Sequence, residues 1–335
     1  MSEIENDEPF IRKVESLICP AEVSDLIFFS SLKKFIPPSL FKRVLYNTSK
    51  RYPRIGFVIE PYCLFLFFRL REVEKARRLL PERYELAKAR VFEEDPPEFY
   101  FGMGIFNTRA STFWGSRLET YLIATDRVTG ITSWIFADIL SDTIIAHPKT
   151  GIADPNCARA MYTTNSRGEV FLDFQQAKKD RGLELRGNLT RGTRRRLEQD
   201  LWIMGNASIG HVNSFGSDSD EPFAVVFDPA EVASALDIPV DDLHILRNTI
   251  LPDFAEPELR KAVCFPFAQH YIADSPGRRT FVRDPGDMVV KYNEIVSMDR
   301  METFSAKSLK TLFVVGALVS GVASVILFAV LLLGM

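Results

Sequence analysis

Residues 62–69 read YCLFLFFR, a short run with apolar side chains at odd and even positions alike. A strand half exposed to water alternates apolar with polar residues, so this run reads as a strand buried on both faces. The period changes directly afterwards. Glu72 to Leu80 (EVEKARRLL) carries its apolar and alanine positions at helical spacing and stops at Pro81. Strand signals then recur at 98–106, 117–125, 131–138, 142–147, 158–164 and 168–174, with turns at Val128-Thr129-Gly130 and Ser166-Arg167-Gly168. They continue at 182–189, 196–204, 222–227, 260–268 and 286–294. One strand–helix–proline pattern appears twice, as FFRLREVEKARRLLP at 67–81 and VVFDPAEVASALDIP at 225–239. No Gly/Ser-rich stretch separates two domains. So many strands need their edges covered, and the expectation is one mainly β domain over 56–298, with a few short helices, folded as a β-barrel.

Residues 1–55 form an N-terminal extension of short helical pieces and turns, broken at Pro37-Pro38. The whole chain has 335 residues, 46% of them hydrophobic and 25% charged, a balance that excludes an intrinsically disordered protein. Four cysteines, Cys19, Cys63, Cys157 and Cys264, are too few for a disulfide-built scaffold and too scattered for a metal site, so reduced thiols and no metal are expected. The formal charge of -3 makes a general nucleic-acid binder improbable. The one dense basic region runs from Lys178 and Lys179 through Arg181, Arg186, Arg191 and Arg194 to Arg196. It reads as a solvated, charge-balanced hairpin or as a contact for anionic headgroups.

The C-terminus has another character. Thr311 to Met335 holds 25 residues without a charge, enough at about 1.5 Å per residue to cross a hydrocarbon layer of roughly 30 Å. Lys307 and Lys310 stand just before it, and the acidic opening MSEIENDEPF lacks the basic run of a secretory signal. The expectation is a juxtamembrane segment at 299–310 and a transmembrane helix at 311–335, a tail anchor holding the N-terminal domain in the cytoplasm with the lipid bilayer as partner. Gly316, Ser320 and Ser324 repeat every four residues, either as the face of a homodimer or because small residues are common in such helices.

The stretch from 62 to 151 carries a resemblance. The apolar strand, the helix ending in RRLLPERYEL, the strand bearing GSRLETYLIA and the pair GITSWIFADI and DTIIAHPKTGI together resemble acetoacetate decarboxylase-like proteins. The resemblance covers about 90 residues. It implies a β-barrel with a central cavity, a Schiff-base lysine at Lys149 and the family's glutamate at Glu119. Two positions depart from the family. Its second lysine is Thr150 here, and the place of its arginine is taken by Glu60 or Pro61. A lysine must be neutral to attack a carbonyl, and its ordinary pKa of about 10.4 leaves few neutral amines at pH 7. Without the second cation only burial and His147 remain to depress it. Lys149 reads equally as a solvated residue of a Pro-Lys-Thr-Gly turn.

FGMGIFNTRASTFWGSRLE at 101–119 sets two glycines in a strand beside aromatic and basic residues. Phe106, Asn107, Arg109, Trp114 and Arg117, joined by Trp134 and His147, are the candidate residues for binding a small or lipid-derived carboxylate or ketone. A kinked strand with core aromatics is the plainer alternative. Asp138 and Asp142 join Glu119 and His147 as carboxylates and imidazole from neighbouring strands. Cys264 and His270 lie near one another in an apolar strand that suits packed core, and His244 falls in an acidic, exposed helix. No cofactor motif is present. Two functions follow from these residues: Schiff-base chemistry at Lys149, or ligand binding and scaffolding without catalysis.

Overall fold

The computed structural model describes residues 6–32, 37, 54–110, 113–147, 151–212, 222–273, 282–301, 310–311 and 314–322. The chain opens with helices α1 (Glu8–Ser16) and α2 (Pro20–Leu32). Strands β1 (Ile55–Ile59) and β2 (Cys63–Leu70) follow, then the short helix α3 (Val73–Arg77) and β3 (Tyr84–Leu86). Next come β4 (Tyr100–Ala110), β5 (Trp114–Asp126), β6 (Thr132–Ser141), β7 (Ile145–His147) and β8 (Gly151–Ala153). Strands β9 (Cys157–Thr164), β10 (Glu169–Gln176), β11 (Gly182–Asn188) and β12 (Thr193–Arg196) lead to a π-helical turn at Asp200–Met204. The chain continues with β13 (Ile209–His211), β14 (Val225–Val226), β15 (Ser234–Asp237), β16 (Leu243–Asn248), β17 (Ala255–Phe265) and β18 (Gln269–Ala273). Helix α4 (Pro285–Ser297) follows them.

A twelve-stranded sheet runs in the order β12-β15-β17-β2-β4-β1-β18-β14, and a branch from β4 carries β5, β6 and β13, with β3 on β5. Strand β2 sits between β17 and β4, which is why YCLFLFFR shows no alternation. Cys63 and Phe67 face one core cluster, while Leu64, Leu66 and Phe68 face another. The second cluster is closed by a four-stranded sheet, β16-β11-β10-β9, whose Tyr162, Leu172, Phe174 and Leu185 pack into it. The first cluster is covered by helices. Phe10 and Val14 of α1 and Met288, Tyr292 and Ile295 of α4 recur at helical spacing and are all buried. The rings of Phe10 and Tyr292 stack at 4.5 Å. Helix α1 seats directly on β1 because Gly56 has no side chain: a Cβ there would lie 2.8 Å from Leu17 Cβ.

Mainly β architecture with few helices is therefore what the structure shows, but the expected barrel does not close. The long sheet ends at β12 and β14. Layering does the covering that closure would have done, with a second sheet on one face and helices on the other. The four-residue β12 is a short arginine-rich edge, and Arg195 is held 2.6 Å from Asp237 and 3.1 Å from Asp95. Arg181 and Arg191 are likewise paired, with Asp138 and Asp242.

The expected transmembrane helix at 311–335 is also corrected. Among the described residues, no helix is long and apolar enough to cross a membrane. Residues 314–322 are helical, with Val315, Leu318 and Val319 exposed, and Gly316 and Ser320 lie within them. Ser324 and the rest of the 323–335 segment lie outside the described residues. Local readings needed correcting too. Residues 285–297 form α4 rather than a strand; its N-cap Asp284 accepts a bond from Asp287 N–H. The strand expected at 196–204 gives way to the π-helical turn. His244 belongs to β16 rather than to a helix.

Candidate functional site

Strand β5 places alternate side chains on opposite faces of the sheet. Leu118, Leu122 and Ala124 enter the core beneath the four-stranded sheet. Arg117, Glu119 and Tyr121 share the other face. Across from them on β4 stand Phe106, Gly104 and Gly102, in register with Arg117, Glu119 and Tyr121. The glycines leave room for the rings of β2, and a Cβ on Gly104 would come 2.9 Å from Phe65 Cε1. On the far side β6 bulges between the Thr120–Asp138 and Tyr121–Phe136 pairs. Such a bulge bends a strand and re-aims its side chains.

The three polar side chains form one hydrogen-bonded set. Arg117 Nη1 donates to Glu119 Oε1 at 3.1 Å, and the Tyr121 hydroxyl donates to Glu119 Oε2. Both oxygens of the carboxylate are thus engaged, so Glu119 acts here as a fixed acceptor that orients its two neighbours. The side chains of Arg117 and Glu119 are only 11% and 10% exposed. Burial pulls the Arg117 guanidinium below its ordinary value, against the opposing effect of Glu119 and Tyr121. Burial, reinforced by Glu119, pushes the Tyr121 hydroxyl well up, and it stays a neutral donor. Cys63, raised mainly by burial and then by Cys264 and Glu119, is a protonated thiol.

Aromatic rings wall the set. Tyr121 meets Trp134 edge-on at 5.3 Å and Phe136 at 5.6 Å. Trp134 and Phe65 lie against Trp202 at 5.7 and 5.0 Å. The Arg117 guanidinium lies over the Phe113 ring at 3.8 Å, a cation–π contact strengthened by the dry surroundings. One donor remains. Arg117 Nε is buried and has no hydrogen-bond partner, and leaving such a donor unmet costs about 1–3 kcal/mol.

The sequence-predicted residues divide sharply. Arg117, Glu119, Phe106 and Trp134 come together on this face. Asn107 does not join them: its Nδ2 donates to the Tyr162 carbonyl at 3.0 Å, and its Oδ1 accepts from Ser116 Oγ. Arg109 is committed to Glu15 and Glu60, the latter at 2.8 Å, and Glu60 stands where the family's arginine was sought. Trp114 is 49% exposed at the head of β5. His147 ends β7, and its side chain lies outside the described residues, as do Lys149 and Thr150 entirely. Asp138 turns to Arg181 at 2.6 Å and Asp142 to the Ser116 N–H at 2.8 Å, so neither converges on Glu119. Among the described residues, no group of three or more His, Cys, Asp or Glu side chains is placed to hold a metal ion. His270 pairs through Nδ1 with Glu231 at 2.8 Å, away from Cys264. Tyr121 and Phe65 were missed. The step of two from Arg117 through Glu119 was the signal that would have found Tyr121.

No protein-family profile matches the sequence, and no curated protein matches it. A crystal structure of acetoacetate decarboxylase from Legionella pneumophila matches in structure over 67% of this chain and 86% of its own, with 8% sequence identity and a TM-score of 0.39. At that identity and TM-score the likeness carries no conclusion about this chain's residues or chemistry.

Proposed function

We propose that the Arg117–Glu119–Tyr121 face binds a small molecule through a carboxylate or ketone oxygen. The observation that supports this is the buried, unmet Nε donor of Arg117, next to a carboxylate whose two oxygens are already occupied. A ligand oxygen accepting from Nε would satisfy it, and the aromatic wall would take an apolar tail. Glu119, itself bonded by the Tyr121 hydroxyl, holds the guanidinium in place. Levulinate, a stable short keto acid, is a suitable probe by calorimetric titration. Arg117→Met should weaken its binding at least tenfold, about 1.4 kcal/mol, while Tyr121→Phe, which spares the guanidinium, should weaken it less. Equal affinity in wild type and Arg117→Met would overturn the reading.

The same reading extends to chemistry at Lys149, which stands in sequence between β7 and β8. Its amine would add to the ligand's ketone carbon and expel water, leaving a Schiff base that borohydride reduces to a stable secondary amine. Levulinate with borohydride should add mass to the peptide containing Lys149, and Lys149→Ala should abolish that adduct. Binding without an adduct identifies a ligand-binding protein without this catalysis.

A further inference from the structure

Two rings on the Arg117–Glu119–Tyr121 face differ from their neighbours. Phe67, Trp134, Trp202 and Phe265 are no more than 3% exposed, whereas Phe65 and Tyr121 are only half-buried. Phe65 stands on β2 and Tyr121 on β5, with β4 between them. Gly104 of β4 pairs with Phe65 on one side and with Glu119 on the other. Lying over that glycine, the Phe65 ring reaches toward the carboxylate that holds Arg117. We infer that the molecule held by Arg117 carries a flat aromatic ring, seated against Phe65 and Tyr121, with its oxygen on Arg117 Nε. The inference rests on the Arg117 reading and names the ligand class for that site, an aryl keto acid.

Three features select an aromatic group. The first is the geometry already in use. Trp202 meets Phe65 edge-on at 5.0 Å, and Tyr121 meets Trp134 and Phe136 edge-on at 5.3 and 5.6 Å. A ligand ring would extend this edge-to-face pattern through its quadrupole, which a saturated ring lacks. The second is thickness. The Phe65 ring is pressed onto Gly104, where a Cβ would lie 2.9 Å from Cε1, and Trp202 and Phe265 stand behind it at 5.0 and 6.1 Å. It has little room to draw back for a thicker, puckered ring, because a packed interior resists small changes of volume. The third is polarity. The Tyr121 hydroxyl is committed to Glu119, so what Tyr121 offers a ligand is its ring. One end of the site is thus a charged donor and the other is aromatic surface.

The test uses the full chain, calorimetric titration and three acids: levulinate, and levulinate with its methyl replaced by phenyl or by cyclohexyl. The phenyl acid should bind about three- to tenfold tighter than the cyclohexyl acid, although the saturated ring is at least as apolar. Arg117→Met should weaken both analogues. Phe65→Leu should bring the phenyl preference below about twofold and leave levulinate binding in place, whereas Tyr121→Phe, which keeps its ring, should retain the preference. Far-ultraviolet dichroism confirms the fold of each variant, and the wild-type ratio decides the matter even where Phe65→Leu does not fold. A cyclohexyl acid that binds as tightly as the phenyl acid, or a phenyl preference that survives Phe65→Leu, would overturn this inference. Levulinate binding that is lost in Arg117→Met would still uphold the Arg117 reading in that case. Failure of all three acids to bind would overturn both.

Discussion

Two glycines of β4 offer a paired test of the packing behind the site. Neither Gly102 nor Gly104 has a positive φ, so an alanine meets no backbone strain at either position. The difference lies in what the new methyl touches. At Gly102 it would rest 3.5 Å from Trp134 Cζ3 and 3.6 Å from Phe67 Cε1, ordinary contact. At Gly104 it would lie 2.9 Å from Phe65 Cε1, about 0.6–1 Å inside the preferred carbon–carbon separation of ~3.5–4.0 Å. The Phe65 ring has little room to retreat, because Trp202 meets it edge-on at 5.0 Å and Trp134 and Phe265 stand at 6.1 Å. Gly104→Ala should therefore cost about 1–3 kcal/mol as overpacking. Gly102→Ala should be neutral or gain about 0.4–1 kcal/mol by stiffening the unfolded chain. At roughly 2–4 °C per kcal/mol for a domain of this size, that gap of about 1–4 kcal/mol should separate the two melting temperatures by about 2–16 °C. Calorimetric melting measures the gap, and near-ultraviolet dichroism should change only in Gly104→Ala, where the aromatic cluster must shift. Equal melting temperatures would refute the packing argument.

Two further expectations follow from buried groups. The Asp126 carboxyl, which burial alone would raise, is held below its ordinary value by Arg83, bonded at 3.0 and 2.7 Å. His211, near the rings of Phe136 and Phe223, is pushed down to about 4 by burial. The unfolded chain binds more protons at both groups, so stability is full above about pH 6.5. It should fall on acidification through the histidine window and then the carboxylate window, by up to about 1.4 kcal/mol per pH unit for each titrating group. Urea midpoints between pH 7 and 3 check this, and a flat profile would contradict it. Asp126→Ala should cost about 1.5–3 kcal/mol at pH 7 by removing the buried carboxylate that two Arg83 nitrogens bond. Thiol reactivity should be equally selective. Cys19 is exposed, whereas Cys63 and Cys264 are buried and Cys264 and Cys157 are pushed up to about 12 by burial. In the native protein Cys19 should react first with a thiol reagent, the half-buried Cys157 much more slowly, and Cys63 and Cys264 only on unfolding, as mass spectrometry of the labelled peptides would show.

The sheet was legible wherever side-chain period carried the information. YCLFLFFR announced a strand buried on both faces, and β2 lies inside the sheet, between β17 and β4. Closure was not legible, because whether a sheet meets its own edge depends on which helices arrive to cover its face. The strand reading of 286–294 overlooked Met288, Tyr292 and Ile295 at helical spacing behind an Asp-Pro-Gly start. In the site, Arg117 and Glu119 share a face by parity alone, which sequence supplies. The seat of Phe65 over Gly104 needs β2 and β4 to pair across the chain between them, and nothing local in either segment records that.

Strand β5 sets two demands on one segment of backbone. Changes at Leu118, Leu122 or Ala124 alter how well two sheets adhere, whereas changes at Arg117, Glu119 or Tyr121 alter what the opposite face can hold. Substitutions at every second residue would thus bear on the Arg117 face and the core that Tyr121 packs against, while the interleaved ones bear on the contact between the sheets. Divergence along β5 should then run with a period of two, and the interleaved positions would be the slower clock.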